Sequence, residues 1–417
     1  MRFAFDVSGI TRRDVLRVSA AAALTAFCGA AAAPKRLLLR SSWQTVNIGD
    51  IAHTPGMLKL LEQYLPAVEV TLWPNALSDD VERMLRTRFP KLRIAKTDSE
   101  RKQAIEECDA CLHGSGPGLV GWRELDRWRE TGKPYGFGGV TLNDAELKDR
   151  RELLAGAKFV FCRDSKSLEA LEASGISGPA MGWGPDATFL LDLRDDKKAA
   201  SVLTEHGLTP RQFLCAVPRL RYTPYWEIHK DRKYSDEEKA MKTEVNERHR
   251  EADHAKLREA IAAWVRETKQ RVLLCPEMTY QVDLLGPLLF DPLPEDVKPH
   301  VANLGRYWLT GEAASVYSQA AAVISFEMHS PIIAAATGTP AIHLRQPTDT
   351  RKGQMWRDVG LDDWLFEIDD SEGPAIAAKL LELHRNMNET TKTLAEARSY
   401  VRQRGEAMMT ATGAMLA

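Results

Sequence analysis

Glu327 and His329 are the residues whose types and position best suit chemistry. They follow an apolar run that predicts a short buried strand over 323–325, and small residues with Gly338 and Pro340 come next. A strand, a polar turn, a small-residue helix and another strand are typical of half a parallel α/β sheet. Ligands bind such sheets at the carboxyl ends of the strands, so both side chains are predicted to face a site.

His329 is a candidate general acid or base, because an unperturbed imidazole titrates at about pH 6.5. Glu327 is either a general base or a hydrogen-bonding group at the strand end. Glu277 ends a neighbouring predicted strand in a similar Pro-Glu-Met context. If both strands end at one cleft, the two glutamates form a carboxylate pair suited to hydrolysis of a glycosidic or ketal bond. Two unrelated surface glutamates are the alternative.

The loop after the first predicted strand carries a second group of candidates. Asp50 is placed to bind sugar hydroxyls or to activate an acceptor, and its alternative role is to cap a helix that begins near Thr54. Asn47 and Gly49 would shape the same loop and contact a ligand there.

Anion-binding candidates lie at other strand ends. Gly114 and Gly116 belong to a glycine-rich turn that either offers backbone N–H groups to an anion or serves tight packing. Arg163 and Arg219 lie at predicted strand ends and are predicted to face a ligand, and Lys352 adds a positive charge in the polar loop after 341–344. The histidines of the charged segment 229–268 do not have convincing metal-ligand spacing and are predicted to lie on a solvated face, so no metal and no cofactor are predicted.

These candidates need elements that place them at the ends of parallel strands. In the first half the patterns predict strands over 35–40, 68–72, 91–95, 110–113, 134–138 and 158–162, and helices over 54–65, 79–88, 99–108, 119–131 and 167–174. In the second half they predict strands over 213–217, 271–275, 302–304, 323–325 and 341–344, and helices over 235–268, 311–321 and 373–411.

The alternation of strands and helices predicts an α/β protein whose two halves each contain a parallel sheet covered by helices on both faces. The predicted domains are residues 34–194 and 195–417. The second contains a charged, solvated helical insertion at about 229–268 and C-terminal helices that cross back onto the first half.

The first 33 residues have the composition of an export signal. Arg12 and Arg13 form a twin-arginine pair, an apolar stretch follows over 18–27, and small residues occupy 30–33. An uncleaved anchor is the alternative, although the apolar stretch is shorter than the roughly 20 residues of a membrane span. The sequence therefore predicts a periplasmic or secreted protein without stable membrane insertion after cleavage.

Composition excludes some partners. The 417 residues carry a net charge of −2, and basic residues are not interleaved with aromatic ones, which argues against nucleic acid. Cys108 and Cys111 have the spacing of a redox or metal pair, but a second pair is missing. Incidental buried thiols are predicted, with a disulfide or redox pair as the alternative.

Taken together, these motifs resemble the polysaccharide pyruvyl transferases. The segments that carry the resemblance are Asn47-Ile-Gly-Asp50, the turn 114–118, the segments 163–171, 184–191 and 217–219, and the block 320–352. The resemblance implies a GT-B-like fold of two facing Rossmann-like domains. It also implies transfer of the enolpyruvyl unit of phosphoenolpyruvate, or use of another anionic donor, onto a carbohydrate acceptor to form a ketal.

The resemblance also implies roles for residues. Arg163 and Arg219 would hold the donor, His329 would act as the acid, and Asp50 would orient the acceptor. The chain departs from the family pattern Arg-x-His, because Glu327 stands where the arginine is expected. An exported glycan hydrolase that uses Glu277, Glu327 and His329, or a non-catalytic glycan-binding protein, therefore stays open as an alternative.

Overall fold

Two parallel sheets organise the chain. The computed structural model describes residues 33–229 and 232–417, and the predicted export signal lies outside these residues except for its last position. Residues from Arg36 to Ala417 form one compact unit that contains both sheets. The predicted fold class, with two parallel-sheet α/β domains, is confirmed.

The first sheet has seven strands in the order β3-β2-β1-β4-β5-β6-β7, and every neighbouring pair is parallel. Its strands are β1 (Arg36–Ser41), β2 (Glu69–Pro74), β3 (Arg93–Ile94), β4 (Ala110–His113), β5 (Tyr135–Val140), β6 (Phe159–Cys162) and β7 (Ala180–Trp183). The central strands are buried on both faces, since helices cover the sheet from both sides.

The helices of this half alternate with its strands. They are α1 (Ile48–Tyr64), α2 (Asp79–Arg88), α3 (Asp98–Glu107), α4 (Trp122–Glu130), α5 (Asp144–Asp149), α6 (Arg151–Ala155) and α7 (Ser165–Ala173). A 3₁₀ turn over Ala187–Leu190 follows β7 and leads to α8 (Asp196–Glu205).

The second sheet has six parallel strands in the order β10-β9-β8-β11-β12-β13. Its strands are β8 (Phe213–Val217), β9 (Arg271–Leu274), β10 (Val301–Asn303), β11 (Ala322–Ser325), β12 (Ala341–Arg345) and β13 (Leu365–Glu367). The order reverses between β8 and β11, which opens a crevice at the carboxyl ends of the strands.

The helices of the second half include a long charged one and a two-helix tail. They are α9 (Tyr225–Ile228), α10 (Asp236–Thr268), α11 (Thr310–Gln319), α12 (His329–Thr337), α13 (Gln354–Asp358), α14 (Gly373–Arg385) and α15 (Met387–Leu416). As predicted, the tail returns to the first half: Met408, Met409 and Met415 of α15 pack into the core beside β1 and α1. The predicted domain boundary at residue 194 stays a prediction.

The largest departure from the predicted elements is the start of α1. The helix begins at Ile48 rather than near Thr54, because the side chain of Asn47 accepts hydrogen bonds from the backbone N–H groups of Gly49 and Asp50. Pro55 lies inside the helix instead of limiting it. The short strands β7 and β13 were not predicted, since their residues are only partly buried and show weak patterns.

The prediction of a solvated polar face on α10 was wrong at three positions. Asn246, Asp253 and His254 are buried, and Asn246 exchanges two hydrogen bonds of 2.8 Å with the backbone of Tyr222. Asp253 binds the guanidinium of Arg221 at 2.8 and 2.9 Å. Polar residues on this helix therefore fix the segment that leaves β8 instead of facing water.

The cysteines among the described residues are buried free thiols, as predicted for incidental cysteines. Burial raises the pKa of Cys108 to about 11, which makes it a poor nucleophile. Within the described residues, no helix combines the length and the apolar character that a bilayer crossing requires.

Candidate active site

The two halves of the molecule contact each other where α1 begins. The backbone N–H of Ile48 donates to the carbonyl of Glu277 at 3.0 Å, and Thr279 donates to the carbonyl of Val46 at 3.0 Å. The hydroxyl of Thr310 donates to the carbonyl of Ile48 at 2.7 Å. The first turn of α1 is thereby placed against the carboxyl ends of the second sheet, where the sequence predicts the site.

His329 lies at the centre of this contact and is 5% exposed. Its Nδ1 lies 3.4 Å from Oε1 of Glu277, and its Nε2 lies 3.7 Å from Oδ2 of Asp186. Burial alone would lower the pKa of His329, but its interactions with the two carboxylates outweigh burial and raise the pKa to about 9. His329 therefore carries a proton at neutral pH.

Glu277 is fully buried and follows β9, as predicted. Its Oε2 accepts hydrogen bonds from the backbone N–H and the hydroxyl of Ser330, at 2.6 and 2.8 Å. Burial raises the pKa of Glu277, but the imidazolium of His329 outweighs burial and leaves the pKa below its ordinary value. Glu277 is thus an ionised partner that holds His329 from one side.

Asp186 holds His329 from the other side and is fully buried. The guanidinium of Arg163 donates to its Oδ2 at 2.7 Å, and Nδ1 of His53 lies 3.1 Å from its Oδ1. Burial raises the pKa of Asp186, but His53, His329 and Arg163 outweigh burial and hold the pKa well below its ordinary value. Arg163 has no exposed surface, and its Nε donates to Thr141 at 2.8 Å, so the geometry supports a positioning role more than contact with a donor.

The first turn of α1 supplies the predicted residues Asn47, Gly49 and Asp50. Gly49 packs directly on the imidazole, because a Cβ atom built there would lie 2.2 Å from Cγ of His329. Asp50 is 7% exposed; its Oδ2 accepts from the amide of Gln44 and its Oδ1 lies 4.0 Å from Nε2 of His53. Asn47, not Asp50, caps the helix, so the alternative capping role of Asp50 is wrong, and its carboxylate binds Gln44 instead.

The glycine-rich turn is packed tightly. A Cβ atom at Gly116 would lie 2.5 Å from Nε1 of Trp43, and one at Gly114 would lie 3.2 Å from Oγ of Ser41. The turn does not open a helix directly, since α4 begins at Trp122. The hydroxyl of Ser115 in this turn contacts Nδ1 of His53 at 2.8 Å, so the turn helps to position His53. Anion binding by Gly114 and Gly116 stays a prediction.

Glu327 belongs to a second polar cluster beside His329. Its Oε1 accepts from the amide of Gln281 at 2.8 Å and lies 3.3 Å from Nε of Arg219, which also donates to Asp349. Nζ of Lys352 lies 4.0 Å from both Glu327 and Asp349. Burial raises the pKa of Glu327 to about 7 despite the opposing charge of Arg219.

Gln281 joins the two glutamates. Its Oε1 accepts from the backbone N–H of Glu277 at 2.7 Å, while its Nε2 donates to Glu327. Glu277 and Glu327 therefore share one site, and their pKa values are displaced in opposite directions. Opposite displacement of two neighbouring carboxyl groups is the arrangement that separates an acid from a base.

Four buried polar atoms that converge here have no hydrogen-bond partner among the described residues. They are Nε2 of His53, both ring nitrogens of His329 and Oε1 of Glu277. The hydroxyl of Tyr307, from the loop after β10, is also buried and unpartnered. Buried polar groups are normally satisfied, so this concentration indicates a place where a ligand or proton transfer completes the bonding.

His53, Asp186 and Gln281 were missed from the sequence. His53 lies three residues after Asp50, the spacing of one helix face, but the helix was predicted to start too late for that spacing to matter. Asp186 lies in the segment 184–191, where a Gly-Pro pair after a strand end was the available signal. Gln281 lies in a 3₁₀ turn without a recognisable pattern.

His53, Asp186 and His329 also have ligand atoms within 4.8 Å of one another, a separation that could hold a metal ion. These three side chains are already balanced by positive charge, because Arg163 contacts Asp186 and His329 is itself protonated between two carboxylates. A divalent cation would have to compete with both. The chemistry of this group favours holding protons, and the prediction of no metal stays a prediction.

Comparison with protein families gives one match over most of the chain. A family model described as polysaccharide pyruvyl transferase matches residues 47–346, a span that runs from the cap of α1 to just past β12. Among curated proteins, none matches the chain by sequence.

Solved structures share the fold at low identity. The S. aureus MnaA–UDP complex has a TM-score of 0.56 at 11% identity and covers 87% of this chain and 91% of that one. UDP-GlcNAc 2-epimerase from Neisseria meningitidis bound to UDP-GlcNAc has a TM-score of 0.53 at 10% identity and covers 90% and 98%. Medicago truncatula UGT71G1 complexed with UDP-glucose has a TM-score of 0.53 at 10% identity and covers 91% and 97%. These likenesses establish a GT-B-like fold.

Proposed function

The chain belongs to the polysaccharide pyruvyl transferase family, and we propose on that basis that it transfers the pyruvyl group of phosphoenolpyruvate to a sugar of a cell-surface polysaccharide. The observation that carries the proposal is His329, a buried imidazolium held between two carboxylates where the halves of the molecule meet. Ketal formation from an enol needs such an acid, because the methylene carbon must gain a proton before the neighbouring carbon accepts an oxygen.

The proposed reaction has two steps, an addition and a displacement. His329 gives its proton to the methylene carbon, and a first sugar hydroxyl adds to the carbon that carries the phosphate. A second hydroxyl of the same acceptor then displaces phosphate and closes the ketal, and its proton leaves with the phosphate. We assign Asp50 the roles of orienting the acceptor and taking the first hydroxyl proton, because it follows Gly49, which packs on the imidazole of His329.

Donor binding would centre on Lys352 and Arg219. Each already faces Glu327 and Asp349, so the fully ionised cluster has two positive and two negative charges. Glu327 becomes neutral below about pH 7, which leaves one net positive charge and an O–H group that can donate to a donor oxygen. Burial keeps the carboxyl group of Glu327 partly protonated, so Glu327 repels an anionic donor less than a fully ionised carboxylate would.

Glycan hydrolysis is the second candidate. It is favoured by one observation, the glutamate pair joined by Gln281 with pKa values displaced in opposite directions. In that case Glu327 would protonate the leaving oxygen and Glu277 would act as the ionised partner. Glycan binding without catalysis is not carried forward, because the family is one of enzymes.

Export remains part of the proposal. The twin-arginine pair, the short apolar run and the small residues before residue 34 support a periplasmic or secreted enzyme that folds before translocation. Fractionation of cells that express the full chain and an Arg12→Lys/Arg13→Lys variant checks this. Cytoplasmic retention of both forms would remove the export proposal.

The donor proposal is tested by calorimetric titration of residues 34–417 with phosphoenolpyruvate. We expect micromolar binding by the wild type and at least about tenfold weaker binding by His329→Ala, since the imidazolium is lost. His249→Ala, which changes a histidine on α10 outside the site, is the matched control and should bind as the wild type does. No heat from a folded wild-type protein would eliminate phosphoenolpyruvate as the donor.

Glu327→Arg separates the two candidate activities. In a transferase, the arginine restores the family pattern and should tighten phosphoenolpyruvate binding. In a hydrolase, it removes the acid and should abolish release of reducing ends from a glycan. Unchanged phosphoenolpyruvate affinity together with lost hydrolysis would reject the transferase proposal in favour of the second candidate.

A further inference from the structure

Tyr307 has a buried hydroxyl group that the proposed reaction does not use. The oxygen of this hydroxyl has no hydrogen-bond partner among the described residues, although the residue as a whole is only half-buried. Oε1 of Glu277 is a buried acceptor in the same situation. Buried polar groups are normally satisfied, so an unpaired O–H donor and an unpaired acceptor in one site indicate a ligand that bonds to both.

The loop that carries Tyr307 is held against the site on both sides. The indole of Trp308 donates to the carbonyl of Pro276 at 2.8 Å, one residue before the buried glutamate that follows β9. The hydroxyl of Thr310 donates to the carbonyl of Ile48 at 2.7 Å, in the first turn of α1. The backbone around Tyr307 is therefore fixed to the two segments that supply the carboxylates of the site.

The charges that act on the hydroxyl of Tyr307 come from those two segments. Burial raises the pKa of Tyr307 well above its ordinary value, and the carboxylates of Glu277 and Asp50 raise it further. Tyr307 therefore keeps its proton at neutral pH and has an O–H group to donate. Tyr280 differs, because the charge of Arg219 also acts on it, which places Tyr280 beside the cations assigned to phosphoenolpyruvate.

A sugar hydroxyl has the chemistry that fits these groups. It can accept a hydrogen bond from the phenol of Tyr307 and donate one to a carboxylate, whereas the oxygens of an ionised phosphate or carboxylate only accept. The neighbours of Asp50 are neutral: the amide of Gln44, and the imidazole of His53, whose pKa is lowered by burial. An anionic group brought to this side would therefore meet the charge of Asp50 without a compensating cation.

Tyr307 also lines a surface cavity of about 820 Å³. The cavity lies between α2, residues 192–195 and the loop before α11, so both halves of the molecule form its wall. Charged side chains around it are paired, for example Arg88 with Asp192 at 2.8 Å and Lys198 with Asp195 at 3.3 Å. Such pairs offer hydrogen bonds without a large field of one sign, and the volume is that of a small-molecule site.

We propose that Tyr307 is a substrate-binding residue that donates a hydrogen bond to a hydroxyl of the acceptor, and that the acceptor is an uncharged sugar whose glycan chain extends into this cavity. The assignment rests on the proposed transferase function and adds the class of acceptor to it. The bound sugar hydroxyl donates in turn to Asp50. A uronic acid is rejected at this position, because its carboxylate faces that of Asp50.

The substitution Tyr307→Phe removes the hydroxyl and keeps the ring. Tyr135→Phe is the matched control, because Tyr135 is also buried but its hydroxyl donates to the carbonyl of Leu153 at 2.7 Å, at the end of β5 that lies away from the site. Both variants lose one buried phenol oxygen, and they differ in whether that oxygen has a partner within the protein.

Urea unfolding without ligand is measured first. We expect Tyr135→Phe to unfold at a lower urea concentration than the wild type, since it loses a satisfied hydrogen bond. Tyr307→Phe should unfold at the wild-type concentration or above it, since its hydroxyl is unsatisfied in the free protein. An equal loss of stability in both variants would show that the hydroxyl of Tyr307 is bonded within the protein and would overturn the assignment.

Ligand-observed NMR titration tests binding without requiring turnover. The probes are the methyl glycosides of glucose, galactose and mannose, with glucuronate and galacturonate as charged counterparts. We expect millimolar binding of at least one neutral glycoside by the wild type and by Tyr135→Phe, and binding at least about fivefold weaker by Tyr307→Phe. Both uronates should bind more weakly than the neutral glycoside.

Three binding results would overturn the proposal. They are equal affinity of the wild type and Tyr307→Phe for the neutral glycoside, uronate affinity equal to or above that of the neutral glycoside, and no binding of any neutral glycoside by the folded wild type. None of them depends on phosphoenolpyruvate, so they are distinct from failure of the transferase proposal.

Steady-state kinetics with phosphoenolpyruvate and a neutral glycan tests the same residue during turnover. For Tyr307→Phe we expect KM for the acceptor to rise about tenfold, with KM for phosphoenolpyruvate within about twofold and kcat within about threefold of the wild type. A rise in KM for phosphoenolpyruvate alone would assign the hydroxyl to the donor and overturn the proposal. Absence of turnover in the wild type would instead count against the transferase proposal, and the unfolding and binding results would still decide the role of Tyr307.

Discussion

The neighbours of Glu327 are arranged for a carboxyl group. Gln281 directs its amide N–H at Glu327, and Arg219 and Lys352 face the same oxygens. An arginine at this position could not accept any of these contacts.

The titration of Glu327 leads to a prediction about donor affinity. Below pH 7 the carboxyl group is mostly neutral, and above pH 7 it is ionised and repels an anionic donor. We expect the affinity for phosphoenolpyruvate to fall by up to about tenfold per pH unit above 7, and Glu327→Gln to remove this dependence. Calorimetric titrations from pH 6 to 8, below the pH at which His329 loses its proton, measure it; identical profiles for both proteins would contradict the prediction.

Gly49 is required because His329 packs against it. We expect Gly49→Ala to lose most activity and to destabilise the protein by about 2 kcal/mol, since the new methyl group would overlap the imidazole. Activity assays and urea unfolding measure both effects. Gly286→Ala is the control, because its Cβ would meet only a side-chain oxygen at 3.8 Å, and it should change stability little. Wild-type activity in Gly49→Ala would show that His329 can move aside.

At the scale of elements, α1 and α12 build the site together. Asn47 starts α1 where the backbone meets β9 and the loop after it, and α12 begins at His329 itself. The charged helix α10 contributes from further away: its Asp253 binds Arg221 and also accepts from Gln346, whose Oε1 accepts from Arg219. A helix that the sequence presents as solvated therefore helps to orient Arg219 through Gln346.

The tail helix α15 ends the second half of the chain but is predicted to stabilise the first half. Met408 is fully buried and lies near Gly138 of β5, and Gly405 allows α15 to approach Leu60 and Leu190. We expect Met408→Ala to lower the free energy of unfolding by about 2–5 kcal/mol, the usual range for a truncated core side chain. Denaturant unfolding measures this change.

Met241→Ala is the control for that experiment, since Met241 is 46% exposed and should contribute little. Equal stability of the two variants would mean that α15 does not support the first sheet.

At the scale of the whole molecule, the residues of the site also form the contact between the two halves. The contacts of Ile48 with Glu277 and Thr310 cross from one half to the other within the first turn of α1. Because titratable groups are buried at this contact, the free energy of unfolding depends on pH. Substitutions in the site are therefore expected to affect both folding and catalysis.

His329 leads to a prediction about stability. Its pKa is raised from 6.5 to about 9 by the carboxylates of Asp186 and Glu277, so its stabilising contribution is fully present below pH 6.5 and is lost as pH rises through 9. The contribution is on the order of 3 kcal/mol. Urea unfolding at intervals from pH 6 to 10 should show this decline in the wild type and a shallower one in His329→Gln. Parallel profiles would mean that His329 is neutral in the folded protein.

Much of the fold could be predicted because local patterns report it. Alternating apolar strands and amphipathic helices identified both sheets, and the strands 110–113 and 213–217 were predicted to the residue. Buried parallel strands need continuous apolar runs, and polar residues follow where these runs stop, so Glu277, Glu327 and Arg219 were each predicted at the end of a strand. Whether the two glutamates meet was left open by the sequence.

The sequence by itself thus determined the family, the fold class and most of the residues around the site, because these depend on residue type, order and period. Only the tertiary structure decided what those residues do to one another. In the folded chain, Arg163 is paired with Asp186, and Gln281 hydrogen-bonds to both Glu277 and Glu327. The ring of His53 packs against the ring of His329. Burial and long-range pairing fix charge and proton position, and neither has a local signal in the chain.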